Sequence, residues 1–393
     1  MLNTPFSPWP AFSEEEADVA RDIILSNRVN YWTGTECREF EKEFSSWANV
    51  NYAVAVANGT VALDLALIAV GIGEGDEVIV TSRTFLASVS SIVNRGAIPV
   101  FADVCEDSQN IHARSIENVL TSRTKAVICV HLAGWPCDMD PIMALAKANG
   151  LKVIEDCAQA HGALYKGKPV GSIGDIGAWS FCQDKIMSTA GEGGMVTTNN
   201  RDYWLKMWSY KDHGKSWQAV YERAHEPGFR WLHESFGTNW RMLEVQGAIG
   251  RIQLNLMADW HQRRLENASR IWSCARKLRG MRVPDIPIHI EHAAYKCYVF
   301  IKDDELKEGW GRDRILHEII ANGVPCFSGS CSEVYLEKAF EDTGWRPEHR
   351  LPVAKKLGET SIMFLVHPTL TNDEISKTCT VLTSVMQNAA KIS

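Results

Sequence analysis

Three short stretches of this 393-residue chain combine reactive side chains with backbone suited to holding a charged ligand. Ala178-Trp179-Ser180-Phe181 and Gly194-Met195-Val196-Thr197-Thr198 read as neighbouring strands, and the loop between them holds Lys185 followed by Gly191-Glu192-Gly193-Gly194. Burial disfavours the charged form of a lysine, and a partly neutral amine can form a Schiff base with a carbonyl carbon. The plain alternative is a solvated surface lysine. Asp156 ends the run Leu151 to Glu155. A carboxylate at a strand end needs a partner. That partner could be a cationic ring nitrogen, a histidine or a metal, unless the residue is a helix cap or loop ion pair. Asn58-Gly59-Thr60 follows a strand and opens a helix. The unpaired N–H groups and positive dipole end of such a turn suit a phosphate, and glycine permits close approach. A simple N-cap by Asn58 or Thr60 is the competing reading.

The histidines carry less. His131, His161 and His213 all read as structural residues with satisfied partners. His213-Gly214-Lys215-Ser216 imitates the end of a P-loop, but Ser209 stands where the first glycine belongs, so that motif is rejected. HExxH, GxSxG and GxGxxG are all missing, which leaves metalloprotease, serine hydrolase and dinucleotide-fingerprint readings without support.

The elements that must position these residues follow from hydrophobic pattern. Short apolar runs begin at Tyr52, Asp76, Ala97, Lys125 and Leu151, as strands buried on both faces do. Helical stretches are expected over 60–70, 85–94, 113–120 and 141–149, separated by turns such as Gly71-Ile72-Gly73-Glu74-Gly75-Asp76. This alternation predicts a mostly parallel α/β sheet with helices on both faces, whose ligands sit at the carboxyl ends of strands. That edge holds Asn58-Gly59-Thr60, Arg83-Thr84-Phe85, His131 and Asp156. A Trp- and His-rich stretch runs from Lys206 to Trp240, then a long helix from Met242 to about Leu278, then a new α/β segment at Val283-Pro284. The predicted domains are 1–265, with an N-terminal arm, and a smaller α/β unit at 266–393. A chain this long exceeds one core of ordinary size.

Composition excludes some classes. The net charge of -7, without a basic stripe, argues against nucleic acid. The amino-terminal twenty residues lack a signal-peptide pattern, and no apolar run reaches the roughly 18 residues of a membrane span. Eleven scattered cysteines without a CxxC pair point to buried thiols in a reducing cytoplasm, and no metal site is expected.

Taken together the chain resembles the DegT/DnrJ/EryC1/StrS family of sugar aminotransferases, of aminotransferase fold type I. The resemblance covers most of the chain. It rests on Phe40-Glu41, Asn58-Gly59-Thr60-Val61-Ala62-Leu63, Gly75-Asp76-Glu77-Val78-Ile79 and Thr84-Phe85. It continues through His131-Leu132-Ala133-Gly134, Glu155-Asp156-Cys157-Ala158-Gln159-Ala160, Ser180-Phe181 with Lys185 and Gly191-Glu192-Gly193-Gly194, and Thr238-Asn239-Trp240-Arg241-Met242. The Asp156/Gln159 and Ser180/Lys185/Gly191 blocks, in this order, are highly specific.

The resemblance implies pyridoxal 5'-phosphate, in its PLP and PMP forms, as cofactor. Lys185 would bond to it covalently, Asp156 would pair with its pyridine nitrogen and Gln159 would lie by its phenolic oxygen. Gly59, Thr60 and Ser180 would hold its phosphate, and Phe85 would stack on its ring. Asn239 would reach the phosphate from a second subunit, implying a homodimer with shared sites, and Arg241 would face the diphosphate of a nucleotide-sugar substrate. One branch with histidine at the lysine position is a dehydratase; Lys185 favours amino transfer. The implied reaction takes an amino group from glutamate to a nucleoside-diphosphate-linked 4-keto-6-deoxy sugar, with a 3-keto sugar aminotransferase or a dehydratase as alternatives. The destination would be a surface polysaccharide, such as lipopolysaccharide O-antigen, or a glycosylated metabolite. Gly323-Val324-Pro325-Cys326-Phe327-Ser328-Gly329-Ser330-Cys331 departs from many relatives, where an aromatic or histidine touches the sugar, so the identity of the sugar is not carried over.

Overall fold

The computed structural model describes residues 4–225, 227–228 and 230–391. Helices α1 (Glu14–Leu25) and α2 (Glu36–Trp47) lead into β1 (Tyr52–Val56) and α3 (Gly59–Val70). There follow β2 (Glu77–Thr81), α4 (Ala87–Asn94), β3 (Ile98–Ala102), α5 (Ala113–Glu117), β4 (Thr124–Val130), α6 (Met139–Asn149) and β5 (Lys152–Asp156). Short β6 (Leu164–Tyr165) and β7 (Lys168–Pro169) precede β8 (Ile176–Ser180), β9 (Gly194–Thr198), α7 (Arg201–Tyr210), α8 (Trp217–Tyr221) and α9 (Glu244–Ala275).

The seven-stranded sheet has the order β1-β9-β8-β5-β4-β2-β3. Only β9 opposes its neighbours; the β2–β3, β2–β4, β4–β5 and β5–β8 pairs are parallel. The sheet is therefore mostly parallel, as its apolar strands predict; β2, β8 and β9 are buried along their whole length. Helix α3 is enclosed on most sides, burying Ala62, Leu63, Leu65, Ala66, Leu67 and Ala69. Asn58 caps it by accepting from the Val61 N–H at 3.0 Å, and Gly71, at φ +85°, ends it in the left-handed conformation that glycine adopts without strain.

Two helices are shorter than their sequence pattern. α4 begins at Ala87 rather than 85, because the Thr84 N–H donates to the Cys331 carbonyl at 3.1 Å and holds the turn open. α5 stops at Glu117, where the chain turns through Thr121-Ser122 into β4.

The carboxyl-terminal part contributes β10 (Met281–Arg282), β11 (Ile290–Glu291), β12 (Cys297–Ile301), α10 (Arg312–Ala321), β13 (Cys326–Phe327), α11 (Pro352–Thr360), β14 (Ser361–Phe364) and α12 (Asn372–Ala389). A second, antiparallel sheet runs β10-β12-β14-β13, and β11 joins β6 and β7. The 32-residue α9 links the parts. Met257 packs in the core that holds Phe40, Phe44 and Trp179, whereas Ala268, Ile271 and Trp272 pack with Val299 and Ile362. The expected boundary at 265 falls inside this helix. The arm crosses over: Phe6 packs on the second core, and the Ser7 N–H donates to Glu374 at 2.5 Å.

Among the described residues no helix is long and apolar enough to cross a membrane. The eleven cysteines are free; six are buried, but Cys331 is exposed.

Candidate active site

The carboxyl edge of the parallel strands gathers most of the residues singled out above. Asp156, at the end of β5, is 5 % exposed. Its carboxylate accepts from the Ser88 hydroxyl at 2.8 Å and from the Ala158 N–H at 3.1 Å. Ser88 is the second residue of α4, and its oxygen is also 2.8 Å from the Thr84 hydroxyl. Both donors are neutral, and among the described residues no cationic side chain pairs with Asp156. A buried carboxylate so placed is short of a counter-charge. Phe85, beside Thr84, is 70 % exposed despite its size.

The neighbouring Glu155 does a different job. His131 Nδ1 accepts from the Cys137 N–H at 2.9 Å, so the proton sits on Nε2, which donates to Glu155 at 3.0 Å. Glu155 also accepts from the N–H groups of Gly171, Ile173 and Gly174. Burial pushes this carboxylate up, but the His131 and backbone donors outweigh it and hold it below its usual range. These bonds fix the end of β5, and His131 is a structural residue, as the sequence suggests.

Gly59 and Ser180 meet directly. A β-carbon at Gly59 would lie 2.5 Å from Ser180 Cβ, and one at Gly194 would lie 2.4 Å from the Asn58 carbonyl oxygen. Only glycines let the first turn of α3 sit against the β8–β9 pair. With Asn58 holding the Val61 N–H, the N–H groups of Gly59 and Thr60 head an open helix end. The result is a small cradle of backbone donors beside the Ser180 hydroxyl, complementary to an anion.

Lys185 follows in the loop after β8, partly buried. Its ammonium lies 5.4 Å from the centre of the Tyr295 ring, and its carbonyl accepts from the Trp9 indole N–H at 2.8 Å. The Tyr295 hydroxyl donates to Asp184. Burial pushes Asp184 up; the Lys185 charge, the Tyr295 hydroxyl and Lys296 pull it down further, and the balance lies below the usual range. Gln159 connects this group to the strand edge. Its oxygen accepts from the Ala133 N–H at 2.8 Å, and the Ala133 carbonyl accepts from the Tyr295 N–H at 3.0 Å. Since its acceptor end is engaged, the amide of Gln159 has its donor end available.

Two expected residues stand apart. The backbone of Arg241 bridges Val56, but its guanidinium pairs with buried Asp212 at 2.7 Å, and Asp212 also takes Lys215 at 3.0 Å. The guanidinium expected to face a diphosphate thus has a partner within the chain, while its Nε has none among the described residues. Asn239 is exposed, its backbone bridging Asp212. In the Trp-rich stretch, Trp204, Trp208 and Trp217 pack together at 4.7 and 5.0 Å ring distances, whereas Trp231 is 90 % exposed.

Sequence reasoning missed Ser88, Trp9, Asp184, Arg264, Tyr295 and Lys296. Asp184 adjoins Lys185 and Ser88 follows Thr84 by one helical turn, which are usable signals; the others are joined to the site only by the fold.

Residues 10–383 match the model of the DegT/DnrJ/EryC1/StrS aminotransferase family. The chain is 36 % identical to the GDP-perosamine synthase of Caulobacter vibrioides, over 93 % of this chain and 95 % of that protein. It is 35 % identical to the UDP-N-acetyl-3-dehydro-alpha-D-glucosamine 3-aminotransferase of Acidithiobacillus ferrooxidans, over 92 % and 93 %. The crystal structure of the aminotransferase from Psychrobacter cryohalolentis superposes with a TM-score of 0.96 at 62 % identity, covering 98 % of this chain and 99 % of that one. With the same fold end to end and a family match over nearly all of its length, the chain belongs to the DegT/DnrJ/EryC1/StrS aminotransferase family, the pyridoxal-phosphate-dependent aminotransferases of sugar nucleotides.

Proposed function

We propose that this protein moves an amino group from glutamate to C4 of a nucleoside-diphosphate-linked 4-keto-6-deoxy sugar. The observation that carries the site assignment is the buried, cation-free carboxylate of Asp156 at the strand edge shared with the Gly59–Ser180 cradle. That combination fits pyridoxal phosphate: a carboxylate for a protonated ring nitrogen, and backbone donors for a phosphate. The cofactor supplies an electron sink for the carbanion.

In this reading Asp156, steadied by Ser88, keeps the ring nitrogen protonated. Gly59, Thr60 and Ser180 hold the phosphate, Gln159 donates to the phenolic oxygen and Phe85 covers the ring. Lys185 would hold the cofactor covalently and would carry the proton at the reacting carbon. Asn239 reaches the site of a second subunit, and Arg241 meets the substrate's diphosphate. The exposed Trp231 and Phe236, at 90 % and 99 %, support a homodimer, since large apolar side chains left in water mark contact surfaces. We place the division between a large cofactor domain and a small domain at 265/266, the reaction in the cytoplasm, and the product in a surface polysaccharide such as lipopolysaccharide O-antigen.

The GDP-perosamine synthase relative supports a sugar-nucleotide product, while the 3-aminotransferase relative favours C3 as a second reading. NMR of the product decides. A 4-amino sugar is expected; a 3-amino sugar overturns the choice of carbon, and consumption of substrate without an amino sugar overturns transamination.

A further inference from the structure

Beside the Lys185 loop lies a cavity of about 390 Å³, lined by the arm residues Phe6 to Trp9, by Asp184, Arg264, Tyr295 and Lys296, and by the chain around His367. It is enclosed by segments distant in sequence. Trp9 ties the arm to the Lys185 carbonyl, stacks on His367 at 5.9 Å and lies 4.9 Å from the Arg264 guanidinium carbon. The loop that carries Tyr295 and Lys296 is pinned to Ala133 and Gly134, the same turn that Gln159 holds.

Arg264 is the unusual member. It is 1 % exposed, and among the described residues its Nε and Nη2 have no hydrogen-bond partner. Among the described residues its one hydrogen bond is a 3.5 Å contact from Nη1 to the Tyr295 carbonyl. Among the described residues no carboxylate forms an ion pair with Arg264 or with Lys296, whose ammonium sits 4.7 Å from the Tyr295 ring centre. Asp184, the acidic lining residue, already takes the Tyr295 hydroxyl. A guanidinium that is buried with two unpaired edges is strongly unfavourable unless an anion completes it. The planar fork suits a carboxylate, and a second cation beside it adds attraction.

We infer that this cavity binds a carboxylate, that of the amino donor, held by Arg264 with Lys296 beside it. The donor's identity rests on the function proposed above; the pocket's chemistry does not. The proposal separates the two half-reactions: Arg264 and Lys296 serve the donor, and the keto sugar does not need them.

The test uses the holoenzyme and glutarate, a dicarboxylate that has no amine to transfer. Isothermal titration should give a saturable isotherm for the wild type, weakened about tenfold or more in Arg264→Gln. Stopped-flow absorbance should show the Arg264→Gln enzyme needing about tenfold more glutamate to bleach the cofactor, with amination of the keto sugar by the PMP form unchanged. Lys296→Met, which removes a charge at similar length, should shift both donor readings in the same direction and serves if Arg264→Gln does not fold. Equal glutarate affinity in wild type and variants overturns the inference, as does an equal loss in both half-reactions. If the wild type binds glutarate through Arg264 yet glutamate does not bleach the cofactor, the cavity stands and the proposed donor falls.

Discussion

The Ser88 hydroxyl donates to the Asp156 carboxylate at 2.8 Å across 68 residues of sequence. It is the only side chain bonded to that carboxylate among the described residues, and it ties the start of α4 to the end of β5. Ser88→Ala should therefore be a graded version of Asp156→Ala. A hydrogen bond to a charged group contributes about 1.5–3 kcal/mol. Cofactor affinity, followed by absorbance titration, should fall by about tenfold in Ser88→Ala, while Asp156→Ala should bind weakly and lose nearly all turnover. Wild-type activity in Asp156→Ala would remove that residue from the mechanism.

Lys185→Ala should fold normally, because the side chain is only partly buried and makes no ion pair among the described residues. Positioned proton transfer contributes roughly 10²–10⁴-fold. With covalent anchoring lost as well, kcat should drop by at least that range, and the absorbance of the covalently held cofactor should disappear. A variant that still turns over at an appreciable fraction of the wild-type rate would refute the assignment.

Gly59→Ala tests the cradle. Its new methyl would stand 2.5 Å from Ser180 Cβ, and overpacking of this kind costs about 1–3 kcal/mol. The double variant Gly59→Ala/Ser180→Gly should recover most of that stability in a urea titration, since the two sites touch. It should not recover cofactor affinity, because the Ser180 hydroxyl is gone. Recovery of both would place the phosphate elsewhere.

His161 gives a pH dependence of stability. Burial, reinforced by the charges of Lys185 and Arg264, brings its imidazole down to about 3, with the ring set between Trp179 and Phe181. The folded state therefore holds the neutral ring, while the unfolded chain takes up a proton below about 6.5. The stability from keeping it neutral is complete above that pH and is lost as pH falls towards 3. At pH 5 the loss is about 2 kcal/mol. In His161→Phe the fall in unfolding free energy between pH 7 and pH 5 should be smaller by about this amount; an unchanged fall would mean that the ring is charged in the fold.

Donor binding should weaken in the alkaline range. Burial brings Lys296 down to about 8, with Arg264 and Lys185 acting the same way and Asp184 opposing them; Tyr295 and His367 complete the wall. The ammonium is charged below that value and attracts an anion only there. Glutarate affinity should fall as pH rises through 8, and Lys296→Met should lose that dependence. A pH-independent affinity in the wild type would show that Lys296 takes no part.

The main sheet and the Lys185 loop were legible in the sequence for one reason. Strands buried on both faces are mainly apolar, so β2, β4 and β5 stand out as runs, Asp156 stands out as a charge at the end of β5, and Lys185 as one in the loop after β8. Arg264 was not legible. On a 32-residue helix that carries four arginines it looks like any solvated residue, and its burial follows from Trp9 and Tyr295 folding over it from opposite parts of the chain. Nor does sequence pattern reveal that Arg241 pairs with Asp212, because that contact depends on α7 ending beside the segment that leads into α9.

The Trp9 indole that bonds the Lys185 carbonyl makes the amino-terminal arm a latch on the Lys185 loop. Limited proteolysis that clips before α1 would leave the sheet untouched yet unfasten the backbone under Lys185, the proposed nucleophile. A nicked preparation would then look well folded by every bulk measure and be a poor catalyst.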